Sequence, residues 1–296
     1  DNLTINLTTG SSVTITLSGS ITVGSLTIFQ NRSYYGAAIA DNFNLNGNAL
    51  TVIGDFELTN HNAGFNASNI TVTIPSSTFT IGGNCTVTNT DSYWWYYMIL
   101  SAVPKQTVFS NSGTVTVSGT TNLNSENTAT TSAVSFLTAS NTANYIFNGN
   151  VVLDDGSGIA SNTVAIGSSA TGGTGKFIFK GNVTVGKYAQ ANAAFTSGTI
   201  LLDGATSQTI TYNNTVYNFN IPNLVIGSSN NPVVTLSGKT ATDDILGDLT
   251  LNGSSVLDLG TCQWNRQTAG GTFRMNGTSK LRLAGSSSVK NGTAAV

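Results

Sequence analysis

FKGNVTV, residues 179–185, packs three signals into seven residues. Phe179 and the Val183–Val185 segment favour a pleated strand, as aromatic and β-branched residues do. Gly181 and Asn182 tolerate φ > 0 and mark a tight corner. After the corner, Val183 and Val185 flank polar Thr184, the period-2 alternation of a strand with one wet face. The pattern recurs as VIGDFEL (52–58), IGGNCTV (81–87), FNGNVVL (147–153) and ILGDLTL (245–251). Looser copies are TLSGSITV around Gly19, TVSGTTNL around Gly119 and RMNGTSKL around Gly277. The eight glycines are spaced 35, 29, 36, 30, 32, 66 and 30 residues apart, and TYNNTVYN around Asn214 stands in the middle of the long interval. The chain therefore reads as about nine turns of ~32 residues.

Two all-β architectures fit that period. In a parallel β-solenoid each unit is one coil, and equivalent strands stack on the coil below. Tandem antiparallel β-sandwiches are the alternative, since turn signals also fall every 8–12 residues. The constant period and the repeated residue class at inward positions favour the solenoid, in which each unit buries its face only against its neighbours. Nine coils would make a single rod of ~43 Å over residues 1–296. Within it Cys85 takes an inward slot beside Phe56. Cys262 lies several coils away, beyond the ~7 Å Cα separation a disulfide spans, so the two should not be bonded. No capped amphipathic helix is legible, and neither terminus carries a capping segment. The rod is expected to continue in a longer polypeptide or to stack on copies of itself.

Composition narrows the function. Of 296 residues only 24 carry formal charge, with a net charge of −2 and no basic block. Nucleic-acid binding needs clustered cations and is not expected. No apolar run approaches the ~20 residues of a spanning helix. The chain starts at Asp1 without a leader, as a processed protein or a fragment does, and its Thr/Asn/Gly-rich, weakly charged surface suits the outside of a cell. Eleven Asn-x-Ser/Thr sequons occur, about what this composition produces by chance.

The stretches DNFNLNGNALTVIGDFELT (41–59), GTILLDGATSQTITYNN (198–214) and NLVIGSSNNPVVTLSG (223–238), with DILGDLTLNGSSVLDLG (244–260) and GGTFRMNGTSKLRLAG (270–285), carry a resemblance. They resemble the repetitive surface proteins secreted by Bacteroidota, including gliding-motility adhesins and other very long cell-surface fibres. The resemblance covers most of residues 41–285. It implies export, surface attachment and adhesion or scaffolding, with no catalytic site.

Catalytic chemistry has little to stand on. Polysaccharide cleavage needs two or three converging carboxylates, and here the acids are scattered. Asp154–Asp155 and Asp243–Asp244 are sequence neighbours, which point oppositely in a strand. Asp154 and Asp155 in an Asp-Asp-Gly turn offer the oxygens of a weak Ca²⁺ site, but turn capping is the simpler reading. Asp55 and Asp248 replace the repeat's Asn and read as corner residues. His61 lacks a Ser, Cys or second His partner and reads as an exposed loop residue. ATGGTGKF (170–177) has Ala170 where a phosphate loop needs Gly and Phe177 where it needs Ser/Thr, with no helix following. No metal, cofactor or catalytic residue is expected.

One anomaly remains, SYWWYYMIL at 92–100. Tyr93 to Tyr97 lie 10 to 14 residues after Gly83. Tyr34 and Tyr35 lie 15 and 16 after Gly19, and Phe65 lies 11 after Gly54. If coil position maps to angle, these loops stack on one side, with Arg32 nearby. The expected interaction patch is Tyr34, Tyr35, Phe65, Trp94, Trp95 and Tyr96. It would serve first as a contact with copies of the chain or other fibre segments, since Tyr and Trp anchor interfaces. A hydrophobic plug and a platform for surface glycans are the alternatives. The reading that follows is a non-enzymatic structural and adhesive unit of an extracellular fibre. A carbohydrate-binding or carbohydrate-cleaving β-helix is second.

Overall fold

The computed structural model describes the chain except for residues 9, 33–37, 63–67, 91–104, 127–131, 139–142, 155–162, 168–174, 187–197, 214–219, 239–241, 246, 267–271, 285–287, 292–293 and 296. All of its regular structure among the described residues is β-strand. Every strand pair is parallel except Ser288–Asn291 with Ala294–Ala295. The fold is a parallel β-solenoid. Face A holds eleven strands, from Leu3–Leu7 to Lys280–Arg282. Face C holds ten, from Ile21–Val23 to Phe273–Met275. The third side is divided. Face B has six strands, Thr14–Thr16 through Thr163–Ile166, and face D has five, beginning at Asn220–Ile221.

The coil count differs from the nine expected. Face A stacks Phe56 on Cys85, Thr121, Val151 and Val183 in succession, which the glycine pattern anticipates. Beyond Val183 the coils shorten: Ile210 lies 27 residues on, Leu236 another 26, and Leu257 and Leu281 are 24 apart. Eleven rungs therefore give a rod of ~53 Å. The pattern also misplaces two copies. Ile21 after Gly19 stacks on Leu50, and Leu249 after Gly247 stacks on Leu224, both on face C. A Gly-Asn/Asp corner followed by alternation suits the entry to any face, so the motif does not distinguish one corner from another.

The true glycine column on the C-to-A corner is Gly24, Gly54, Gly83, Gly119, Gly149 and Gly181. Its amides bond up the column, Gly54 to Gly24 O at 2.6 Å, Gly83 to Gly54 O at 2.8 Å and Gly119 to Gly83 O at 2.9 Å. A Cβ at 149 would lie 2.5 Å from the Gly119 carbonyl carbon, closer than real Cβ atoms come. Beside the glycines, side-chain oxygens cap the next rung's amides. Asp55 Oδ1 accepts from Asn84 N (2.7 Å), Asn84 Oδ1 from Thr120 N (2.9 Å) and Asn150 Oδ1 from Asn182 N (2.9 Å). On the opposite side of face C, Asn223 Oδ1 accepts from Asp248 N (3.0 Å) and Asp248 Oδ1 from Thr272 N (2.6 Å). Asp55 and Asp248 are corner residues, as read, and satisfy backbone donors that the turn leaves without a strand partner.

Inside, one hydrophobic cluster runs from Leu7 to Cys262. Its middle is aromatic. Tyr145 stacks on Phe177 (5.2 Å, 2°) and Phe147 on Phe179 (5.1 Å, 15°), because parallel registry puts like residues one rung apart. Phe136 touches Phe109, Tyr145 and Phe147 at 4.5, 4.9 and 5.9 Å. Cys85 and Cys262 are both buried, and no disulfide joins them. Burial pushes the Cys85 thiol up to about 12 from its ordinary 9.0.

That shift predicts an alkaline weakness with a definite sign. The folded state keeps the thiol neutral, so above pH 9 the unfolded chain releases its proton first. The thiol's effect on stability is absent below pH 9. It then costs about 1.4 kcal/mol per pH unit toward pH 12 and levels off beyond. The melting temperature of the native protein should fall more steeply over that window than that of Cys85→Val. Parallel curves would contradict a buried thiol.

Candidate interaction surface at one corner of the solenoid

Tyr34, Tyr35, Phe65, Trp94, Trp95 and Tyr96 lie outside the described residues. The strands on either side of them are described, and all belong to one corner. The segment holding Tyr34 and Tyr35 joins Leu26–Arg32 on face A to Ile39–Asn44 on face B. That of Phe65 joins Phe56–Asn62 to Ser68–Ile74, and that of Trp94 to Tyr96 joins Cys85–Thr90 to Lys105–Asn111. Asn31 pairs in register with His61, and His61 with Thr90. Three consecutive rungs thus open at the same corner, A to B.

Beneath that corner the interior turns polar. Gln30, Asn60, Asn89 and Ser125 point inward in register and are fully buried. Gln30, Asn60 and Asn89 tie face A to face B where the chain leaves the sheet. Gln30 Nε2 donates to Asp41 Oδ2 (2.6 Å), and Asp41 Oδ1 accepts from Val13 N (2.8 Å). Ser68 Oγ donates to Asn60 Oδ1 (3.1 Å) while Asn60 Nδ2 donates to Ser68 O (3.2 Å). Thr107 Oγ1 donates to Asn89 Oδ1 (2.6 Å). A buried polar group is tolerable only when so paired. The column holds the corner's geometry at the roots of the three insertions, which an apolar column would leave free to slide.

On the outer surface His61 belongs to a strand, not to a loop as its sequence setting suggested. It is half-buried and its ring stacks on Phe29, centroids 6.2 Å apart at 20°. The reading missed this because Phe29 and His61 are remote in sequence and adjacent only through the parallel registry. The polar column was also missed, although a signal existed: each member stands six residues after its rung's glycine. Asp154 ends a face A strand in register with Asn124, and Asp155 lies outside the described residues. Asp243 and Asp244 sit within the face D strand Thr242–Ile245. Among the described residues no three His, Cys, Asp or Glu gather in one place, and no helix is long and apolar enough to cross a membrane.

The described part of this corner is a buried polar column beneath three A-to-B connections. No protein-family model matches the chain, and neither a curated protein nor a solved structure matches it.

Proposed function

We propose that the chain is a structural and adhesive unit of an extracellular, cell-surface fibre, working without catalysis. The observation that carries this is the convergence of three consecutive insertions on one corner of a stiff parallel rod. A solenoid transmits load through continuous hydrogen-bonded ladders along its axis. Tyr34, Tyr35, Trp94, Trp95 and Tyr96 in the segments between the face A and face B strands would supply lateral contacts.

A Trp94→Ala/Trp95→Ala variant tests the lateral role. Sedimentation and electron microscopy should show lateral association lost while the variant melts as the native protein does. Loss of polysaccharide binding by a well-formed monomer, with association untouched, would favour a carbohydrate-binding β-helix instead.

A further inference from the structure

The outward face of sheet C changes character partway along the rod. One outward column runs Thr22, Thr51, Thr80 and Thr116 on the first four rungs. It then becomes Ile146, Ile178, Leu201 and Val225 on the next four, and returns to Thr at 250. Outward aliphatics in a column that is threonine on the rungs before and after them have no part in the core. Along this stretch a wall rises beside the sheet. Residues 228–230 follow the strand Asn223–Ile226, and the buried Asp203 holds them in place. Its Oδ1 accepts from the amides of Ser228 (2.8 Å), Ser229 (3.1 Å) and Asn230 (2.9 Å), and its carbonyl accepts from Asn230 Nδ2 at 2.9 Å. The result is a groove of about 300 Å³ with Ile146, Ile178 and Leu201 in its floor.

Two cations border it. Lys176 opens the strand Lys176–Phe179 and Lys180 directly follows it, with outward Ile178 between them, and both lysines are exposed. No ion pair among the described residues engages either. The lining also includes the Asp203 carboxylate, which is taken up by the three wall amides, so in a chain with 11 Lys and Arg in all the two lysines leave the groove with a net positive charge.

We infer that this groove binds a carboxylated sugar chain. A pyranose ring offers an apolar C–H face to the aliphatic floor and hydroxyls to the exposed Ser228 and Ser229 hydroxyls. Its carboxylates pair with the two ammonium groups in charge-assisted hydrogen bonds. An acidic peptide fits less well. The floor is the face of a continuous sheet whose backbone groups are used in the ladder, so a peptide backbone finds no edge to pair with. The groove lies on a different face and on later rungs than the aromatic corner, and the inference does not rest on that corner's role.

Calorimetric titration of the full chain with hexagalacturonate, neutral cellohexaose and a glutamate decamer tests it. Hexagalacturonate should bind, weakening as salt rises from roughly 50 to 200 mM, and cellohexaose should not. Lys176→Gln/Lys180→Gln should lower the affinity about tenfold or more through loss of two charge-assisted contacts. Ile178→Thr/Leu201→Thr installs the residue found elsewhere in the same column, so the variant should melt as the native protein does and still bind more weakly. The inference is overturned if hexagalacturonate does not bind the native chain, if either double variant binds undiminished, or if the glutamate decamer binds as tightly.

Discussion

Gly149→Ala should cost about 3 kcal/mol or more of unfolding free energy, or leave no cooperative transition at all, whereas Gly19→Ala should change it by no more than about 0.5 kcal/mol. The two glycines stand in the same sequence motif, so the contrast isolates what the stacking adds. At 149 a methyl group would meet the Gly119 carbonyl carbon at 2.5 Å and the Thr120 amide at 3.1 Å. Both are backbone atoms of the rung below, which cannot turn aside as a side chain does. Relief requires the rungs to part, and parting breaks the ladder on faces A and C together. At 19 a Cβ meets nothing within 4 Å. There the substitution restricts the unfolded chain and disturbs nothing folded. Chemical denaturation of both variants checks the pair. Equal effects would mean that the glycine column does not set the rung contact.

Phe136→Ala is expected to destabilise by about 3–5 kcal/mol, the range for emptying a fully buried aromatic site. Phe136 is the member of the aromatic interior that bridges faces B and C, touching Phe109 on its own face and Tyr145 and Phe147 across the coil. Its neighbours are locked by stacking onto the rungs above and below, so the cavity cannot collapse without unstacking them. Ile53→Ala serves as the contrast. Ile53 is 66% exposed, and its truncation should stay within about 0.5 kcal/mol. Comparable losses at 136 and 53 would contradict the placement of the aromatic column.

The parallel solenoid was legible because its repeat is local chemistry. Gly-Asn/Asp followed by alternating apolar residues names a corner and a half-buried strand wherever it occurs, and the in-register run from Gly54 to Gly181 follows directly. Cys85 beside Phe56, and its lack of a bond to Cys262, came from the same registry. Coil number was not legible past Val183. Face B ends at Thr163–Ile166, fewer residues separate faces A and C beyond Val183, and a motif shared by two corners cannot say which face follows. Polar inward residues were obscured for another reason. Asn60 and Asn89 look like turn residues by type, and only the approach of Ser68 and Thr107 across the corner makes them interior groups. The groove on face C was equally hidden, since Lys176 and Ser228 lie 52 residues apart and meet only because two coils intervene. Tyr34, Tyr35, Phe65, Trp94, Trp95 and Tyr96 lie outside the described residues; only the strands flanking their segments are placed, on faces A and B.

The alkaline sensitivity assigned to Cys85 and the variants above probe the rod's interior. The proposed use as a fibre unit depends on how copies meet. The most direct measurement is electron cryo-microscopy of the native material, kept at its natural length and never denatured. The account predicts rods associated through a lateral contact at the A-to-B corner, with strands perpendicular to the long axis at a repeat near ~4.8 Å. Separate compact particles at every concentration, or contacts made only through other faces, would contradict it.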